Sequence, residues 1–222
     1  MLIVGAKGFA KEVLEILRQQ NDLRGLVFFD DINSAPLLYD QFPILKNEDE
    51  VKKHFQAFGN QFTLGVGNST LRHKLYQKFT DWNGEFTTTI SPFAKIGSYD
   101  VQIGAGTNIL TGAIFSNSTT MGMGGIVYYN VIVTHDCTIG DFVELSPNAQ
   151  LLGRCKIGDF TQIGANSVIL PDVDVGSNVI IGAGSVVTKN IPSNCIAVGT
   201  PAKIIRFVAP LDYNNSNKKT IK

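Results

Sequence analysis

Counting by six from Ile103 meets an unbroken series of apolar side chains: Ile103, Ile109, Phe115, Met121, Val127, Val133, Ile139, Leu145, Leu151, Ile157, Ile163, Ile169, Val175, Ile181 and Val187. The residues two positions earlier, from Val101 through Cys137 and Cys155 to Ser185, are all small or β-branched. A period of six fits neither an α-helix nor an alternating strand, so it has to be explained before anything else. A triangular solenoid explains it. Each hexad makes a short strand and a corner, three hexads close a coil of eighteen residues, and coils stack as parallel strands about 4.8 Å apart. The large aliphatic fills the interior and the small residue sits where the wall turns. Fifteen hexads give about five coils of a parallel β-helix. Glycine follows the aliphatic at positions 104, 122, 140, 158, 164, 176 and 182, where a corner is expected to need freedom from Cβ strain.

The repeat accounts for only the second half of the 222 residues, so a second domain is required. Met1–Gly5 reads as a buried strand, Gly5-Ala6-Lys7-Gly8 as a tight turn, and Phe9–Gln20 as a helix with Val13, Leu14, Ile16 and Leu17 on one face. A second strand runs from Leu26 to Phe29 and ends at Asp30 and Asp31. A third apolar run, Phe62–Val66, ends at Gly67-Asn68, and a helix from Ser69 to Trp82 follows with Ser69 or Thr70 as N-cap. This order predicts a small parallel sheet binding its ligand at the strands' carboxyl ends. The glycine turn reads G-x-x-G-x-A, and with a half-sized fold that argues against a whole nicotinamide dinucleotide. A phosphate or sugar at the helix N-terminus fits better. Acidic groups after the second strand suit the hydroxyl or imide N–H groups of a nucleoside.

The expected domains are 1–86, a Rossmann-like nucleotide-binding unit; 87–192, the β-helix; 193–209, an extension containing Gly199-Thr200-Pro201-Ala202-Lys203; and 210–222, a polar disordered tail. The step from Ile96 to Ile103 is seven residues, which places a bulge near Ser98–Asp100. Nineteen basic and nineteen acidic residues leave no net charge, and hence no electrostatic basis for binding nucleic acid or an anionic membrane. The three cysteines are expected to be reduced thiols, with Cys137 and Cys155 stacked in the small inward slot of adjacent coils. With no leader before Leu2 and no long apolar run, a soluble cytoplasmic protein is expected.

Three histidines are present. His54 and His73 lie in amphipathic stretches and read as surface residues. His135 falls between inward Val133 and inward Cys137, so it stands on the outside of the coil and is available as a base near neutral pH. Gly153, eighteen residues on, stacks beside it and leaves room for an extended thioester whose carbonyl oxygen meets a backbone N–H. Asp136 can hold the imidazole only if a corner turns the two neighbouring side chains together. Cys137 points inward and is a poor nucleophile.

Several motifs together carry a resemblance: Ile3-Val4-Gly5 with Gly8 and Lys11-Glu12-Val13; Phe29-Asp30-Asp31; Gly65-Val66-Gly67-Asn68 with Arg72; His135-Asp136-Cys137-Thr138-Ile139-Gly140; and Val198-Gly199-Thr200-Pro201-Ala202-Lys203. The chain resembles bacterial sugar-nucleotide acetyltransferases of the hexapeptide-repeat superfamily, in the branch with an N-terminal Rossmann-like domain. That branch includes N-acetyltransferases of UDP-linked 4-amino-sugars and of GDP-perosamine, and sialic acid O-acetyltransferases. The resemblance implies a left-handed coil, a homotrimer with active sites between adjacent coils, and acetyl-CoA as co-substrate with no metal. It implies His135 as general base with Asp136 increasing its basicity, acetyl-CoA near Gly153, Ala165 and Ala183, and the sugar nucleotide near Lys7, Gly8, Phe9, Asp30, Asp31, Gly67 and Asn68; Lys203, just after the coil, reads either as a contact to CoA phosphate or as a plain surface residue. Two departures stand out. Phe9 replaces a residue that is histidine or polar in many relatives, and Glu144 replaces a histidine that touches the cofactor.

The resulting expectation is direct acetyl transfer from acetyl-CoA to the amine of a nucleotide-linked amino-deoxy sugar, for surface glycan synthesis. The alternative is O-acetylation of a sugar or sialic acid hydroxyl. A zinc carbonic anhydrase on this scaffold would need three histidines in the coils, which hold one. A non-enzymatic solenoid would show a regular outer ladder, whereas the column through His135 reads Asn117, His135, Gly153, Pro171.

Overall fold

The structure, a computed structural model, describes residues 1–211. The tail expected to be disordered lies, from residue 212 on, outside the described residues.

Strand β1, Leu2–Val4, is wholly buried and feeds through Gly5 into helix α1, Gly8–Gln19. The apolar stripe of α1, from Phe9 and Ala10 to Leu17, lies against the sheet. β2 is Val27–Phe29, β3 Leu37–Leu38, β4 Phe42–Leu45, helix α2 Glu48–Phe58, β5 Gln61–Leu64, helix α3 Ser69–Asp81 and β6 Glu85–Phe86. The sheet order is β3-β4-β2-β1-β5-β6, with only β3 antiparallel to its neighbour. The crossing point of this order lies at β1, so the carboxyl ends of β1, β2 and β5 open a crevice beside α1.

In the N-terminal domain β3, β4, α2 and β6 go beyond the sequence reading, and two side chains differ from it. Residues 37–58 build β3, β4 and α2, which hydrophobic periodicity did not reveal because β3 and β4 are only two and four residues long. The start of α2 was legible: Asn47 accepts from Glu50 N at 3.0 Å and Glu50 reaches back to Lys46 N at 2.7 Å, a reciprocal cap. α3 is capped by Asn68, not by Ser69 or Thr70; its Oδ1 accepts from Leu71 N at 2.9 Å. His54 is buried, with its ring stacked on Phe58 at 5.2 Å, and so is no surface residue. His73 is half-buried, edge-on to Phe142 and Phe160 at 5.2 and 5.7 Å.

From Thr89 onward the chain coils. Strands Thr89–Ile90 to Cys195–Val198 form a first wall, Lys95–Ile96 to Val186–Val187 a second, and Val101–Ile103 to Asp174–Val175 a third. Adjacent coils pair in parallel at an eighteen-residue offset, as in Ile126 with Glu144 and Ile132 with Gln150. The irregular hexads at both ends join the walls, which are therefore deeper than the perfect repeat requires. Strand Lys203–Phe207 turns back antiparallel and closes the first wall. The fifteen-position aliphatic series fills the interior, while Thr107, Thr161 and Ser167 spend their hydroxyls on corner carbonyls at 3.0, 2.7 and 2.9 Å. Cys137 and Cys155 are free thiols with sulfurs 3.5 Å apart, and hydrogen bonding to Cys137 and burial push the Cys155 thiol up.

The corners correct one expectation. Left-handed backbone recurs at every sixth residue from Gly106 to Gly184, and the occupants include Asn130, Asp136, Asn148, Arg154, Asn166, Asp172 and Asn178. Asn and Asp tolerate this region best after glycine. The glycines following the aliphatics do a different task. Gly104 has no positive φ, but a Cβ on it would lie 2.4 Å from the backbone of Gly122 in the next coil. Close stacking, and not backbone freedom, excludes a side chain there.

The N-terminal domain packs on the first wall and on the corner between the third and first walls. Asn108 receives Thr63 Oγ1 at 2.8 Å and donates to Leu64 O at 3.0 Å. Phe9 meets Tyr128 at 5.4 Å between centroids, and Tyr76 packs on Phe86 and Phe142. Arg72, almost wholly buried, reaches from α3 into the coil. Phe86 covers Gly106, whose φ is +68° and whose notional Cβ lies 2.0 Å from that ring. Gly106→Ala is therefore expected to destabilise the protein by more than about 1 kcal/mol, read as a lower denaturation midpoint at unchanged slope.

Candidate active site

His135 stands on the corner between the second and third walls, half-exposed to solvent. Its neighbour Asp136 holds the left-handed position of that corner, φ 60°, and this rotation brings together two side chains that a flat strand would point apart. His135 Nδ1 lies 2.6 Å from Asp136 Oδ2. With Nδ1–H donated to the carboxylate, the lone pair of Nε2 is free to take a proton. The imidazole lies over Gly153: a Cβ there would stand 2.7 Å from Cε1 and 2.8 Å from Nε2. Beside this pair, Arg154 donates its backbone N–H to His135 O at 3.0 Å and turns its guanidinium toward Asp172, at 2.6 and 2.8 Å.

A second feature is the crevice of about 210 Å³ at the ends of β1, β2 and β5, lined by Gly5, Lys7, Asp30, Asp31, Gly65 and Val66 among others. Lys7, in the crevice lining, precedes α1 without capping it by its side chain, which leaves the N–H groups of the first turn without a side-chain cap. Of the two acidic residues, Asp30 uses Oδ1 on the backbone N–H groups of Ile32 and Asn33 at 3.1 and 2.8 Å. Asp31 is more exposed and pairs with Lys78 at 3.3 Å. Gly8 opens the helix, while the Phe9 side chain turns away from the crevice toward Tyr128.

A third hollow, about 380 Å³, lies between the start of α3 and the first wall, and Gly67, Asn68, Thr70, Glu144, Gln162 and Asn178 line it. The Asn68 Oδ1 is taken by the cap, and Gly67 O accepts from Arg72. Glu144 Oε1 accepts from Ser146 Oγ at 3.2 Å and Gln162 Nε2 at 3.1 Å; burial raises its carboxyl and nearby Arg72 opposes that. Ala165 and Ala183 stack on the corner between the first and second walls, and Lys203 begins the closing strand, exposed. The chain thus unites His135, Asp136 and Gly153 on one corner, Lys7, Asp30 and Asp31 in the crevice, and Gly67 and Asn68 beside Glu144. It does not bring these groups together, because the N-terminal domain covers the wall opposite the His135 corner. Arg154 and Asp172 escaped the sequence reading, although the eighteen-residue column Asp136, Arg154, Asp172 was there to be counted.

Residues 1–79 match the model of the PglD N-terminal domain, and residues 154–189 match that of the bacterial transferase hexapeptide, six repeats. WeeI from Acinetobacter baumannii AYE is 30% identical, the superposition covers 92% of this chain and 98% of that one, and the TM-score is 0.85. The chain belongs to the hexapeptide-repeat acetyltransferases that carry a PglD-type N-terminal domain. As a member of that family it is an acyltransferase. PerB from Caulobacter crescentus, solved with CoA and GDP-perosamine, is 27% identical over 91% of this chain and 95% of its own, at a TM-score of 0.84. The GDP-perosamine N-acetyltransferase of Escherichia coli O157:H7 is 29% identical over 154 residues, 67% of either chain. No helix among the described residues of this family member is long and apolar enough to cross a membrane.

Proposed function

We propose that this acetyltransferase transfers the acetyl group of acetyl-CoA to the amine of a nucleotide-linked amino-deoxy sugar. The observation that carries the reading is the His135 corner: an imidazole oriented through Nδ1 by Asp136, with Nε2 open above a side-chain-free Gly153. In one step the neutral amine attacks the thioester carbonyl, a C–N bond forms, and Nε2 accepts the proton that the amine loses. The tetrahedral intermediate then expels the CoA thiolate, which takes that proton back. The products are the acetamido sugar and CoA thiol, and no acyl-enzyme forms. Perosamine carried on GDP in the PerB structure, and the N-acetylation of GDP-perosamine by the E. coli relative, support an amino-sugar nucleotide as acceptor. The crevice with Lys7, Asp30 and Asp31 is the natural place for its nucleotide, with the N–H groups at the start of α1 toward phosphate.

The two halves of the site are joined by a neighbouring protomer. The second wall presents Ile114, Ile132, Val168 and Val186 outward beside Lys95 and Gln150, whereas the third presents only Gln102, Thr120, Thr138, Lys156 and Asp174. Three copies with their second walls toward a common axis bury the apolar face. The His135 corner of one protomer then faces the first wall, Ala165, Ala183 and the N-terminal domain of the next. The pantetheine arm of acetyl-CoA lies along that seam, past Gly153 and toward Lys203.

The test is CoA release from acetyl-CoA with UDP-, GDP- and dTDP-linked 4-amino-6-deoxy sugars and with free sialic acid. Turnover of one amino-sugar nucleotide, with an amide in the product, is the expected result. Silence on every amino sugar together with turnover of a hydroxyl acceptor overturns N-acetylation in favour of O-acetylation.

A further inference from the structure

His135 and Asp136 are not alone on their corner. Positions 136, 154 and 172 form one column, each in left-handed backbone, and the column is held by hydrogen bonds from Arg154 N to His135 O and from Asp172 N to Gly153 O, both 3.0 Å. Arg154 therefore sits between two carboxylates, one coil spacing of about 4.8 Å from each. Its guanidinium is committed to Asp172 by a two-pronged pair, Nε to Oδ1 at 2.6 Å and Nη2 to Oδ2 at 2.8 Å. Asp136 turns the other way, to His135 Nδ1 at 2.6 Å. Both arrangements satisfy every charge, and they exclude the third, in which Arg154 takes Asp136 and leaves the imidazole without an anchor.

We infer that Asp172 is a positioning residue for the acetyl transfer: by engaging Arg154 it keeps Asp136 available to His135. The inference rests on His135 being the base proposed above, and it goes further by assigning a role two coils away to a residue that touches neither the imidazole nor, in this arrangement, Asp136. Other groups facing the pair cannot substitute for Asp172. Asn117 of the preceding coil offers Asp136 only a backbone carbonyl, at 3.4 Å from its N–H, and the Cys137 thiol points into the interior. An arginine fork is also the right partner to compete, since it binds carboxylates two bonds at a time.

Asp172→Asn tests this with the least disturbance, because asparagine accepts the φ of +62° at that position. Freed from Asp172, Arg154 turns to Asp136. The imidazole then loses the carboxylate that holds its Nδ1–H, and with it the fixed tautomer and ring orientation. Two readouts are needed. In the substrate-free protein at fixed pH, the ring-nitrogen NMR signals of His135 should move from those of a single Nδ1–H tautomer toward those of a mixture of the two tautomers. With the acetyl acceptor found above, kcat/KM at pH 7 should fall roughly threefold to tenfold, with kcat falling more than KM rises. Arg154→Asn added to Asp172→Asn removes the competitor and should restore both to the wild-type values. The NMR readout needs no substrate, so failure of the proposed function and failure of this inference are distinguishable. The inference is overturned if Asp172→Asn leaves the His135 ring-nitrogen signals unmoved, or if the double variant is as displaced as the single one.

Discussion

Replacing His135 by alanine is expected to lower kcat/KM by roughly 10²-fold or more while leaving the melting temperature almost unchanged. The two halves of that expectation come from the same geometry. The side chain is half-exposed on a corner whose interior is filled by Val133, Cys137 and Cys155, so its removal opens no cavity in the core. Its Nε2 is the one open imidazole nitrogen on that corner, and nothing beside it can take the proton: Asp136 is turned to Nδ1, and Arg154 is a donor only. Asp136→Asn should show a smaller loss, since asparagine keeps the left-handed corner and still hydrogen-bonds the ring, but no longer stabilises the imidazolium. The steady-state rate with acetyl-CoA and the acceptor, run beside a thermal melt, separates the outcomes. Full activity in His135→Ala removes this residue from the mechanism, whatever the acceptor proves to be.

The coil was legible because its signal is redundant. Fifteen apolar side chains at one spacing leave no second arrangement that buries them all, and each occupies the interior in the structure, apart from the looser first position at Ile103. His135 was legible for the same reason, since a position between two inward residues has to face out. What the periodicity did not give was the direction of side chains within a corner. That Asp136 converges on His135, and that Arg154 chooses Asp172, depends on one left-handed residue per hexad, and these residues vary from glycine to asparagine to phenylalanine. Phe142 and Phe160 occupy that backbone at φ 54° and 57°, against their own preference, because their rings stack at 5.3 Å and receive His73 edge-on. The N-terminal domain was legible as alternating strands and helices, but its docking was not. The residues that dock it, Phe9, His73 and Tyr76, belong to helices whose polar and apolar faces both find partners, so their local pattern did not announce an interface.

Arg72 joins the domains, and its loss is expected to be the largest single effect on stability. The side chain is 1% exposed and donates to four carbonyls: Gly67 O at the start of its own helix, Gly124 O at 3.1 Å, and Phe142 O and Val143 O at 2.6 and 3.4 Å from successive coil corners. Among the described residues, no carboxylate hydrogen-bonds to it. Burial pushes the guanidinium down to about 10, and Glu144 opposes that shift, so it stays charged at neutral pH. Arg72→Met keeps the length and apolar stem but leaves carbonyls on both domains without donors in a dry interface, at a cost of about 3–5 kcal/mol. For a chain of this size that corresponds to a melting temperature lower by on the order of 10 °C. Arg72→Lys should fall between, because one ammonium cannot span corners one coil apart together with Gly67. Since the Gly67 carbonyl is released in either variant, the loop beside Glu144 loosens, and KM for the acceptor should rise more than KM for acetyl-CoA. Amide hydrogen exchange gives the independent reading: protection should drop at residues 63–72 and along the first wall near Asn108 and Ile126, and persist at the buried aliphatics of the later coils. An unchanged melt with unchanged exchange in Arg72→Met would show that the aromatic packing of Tyr76, Phe86 and Phe142 holds the domains together without the buried cation.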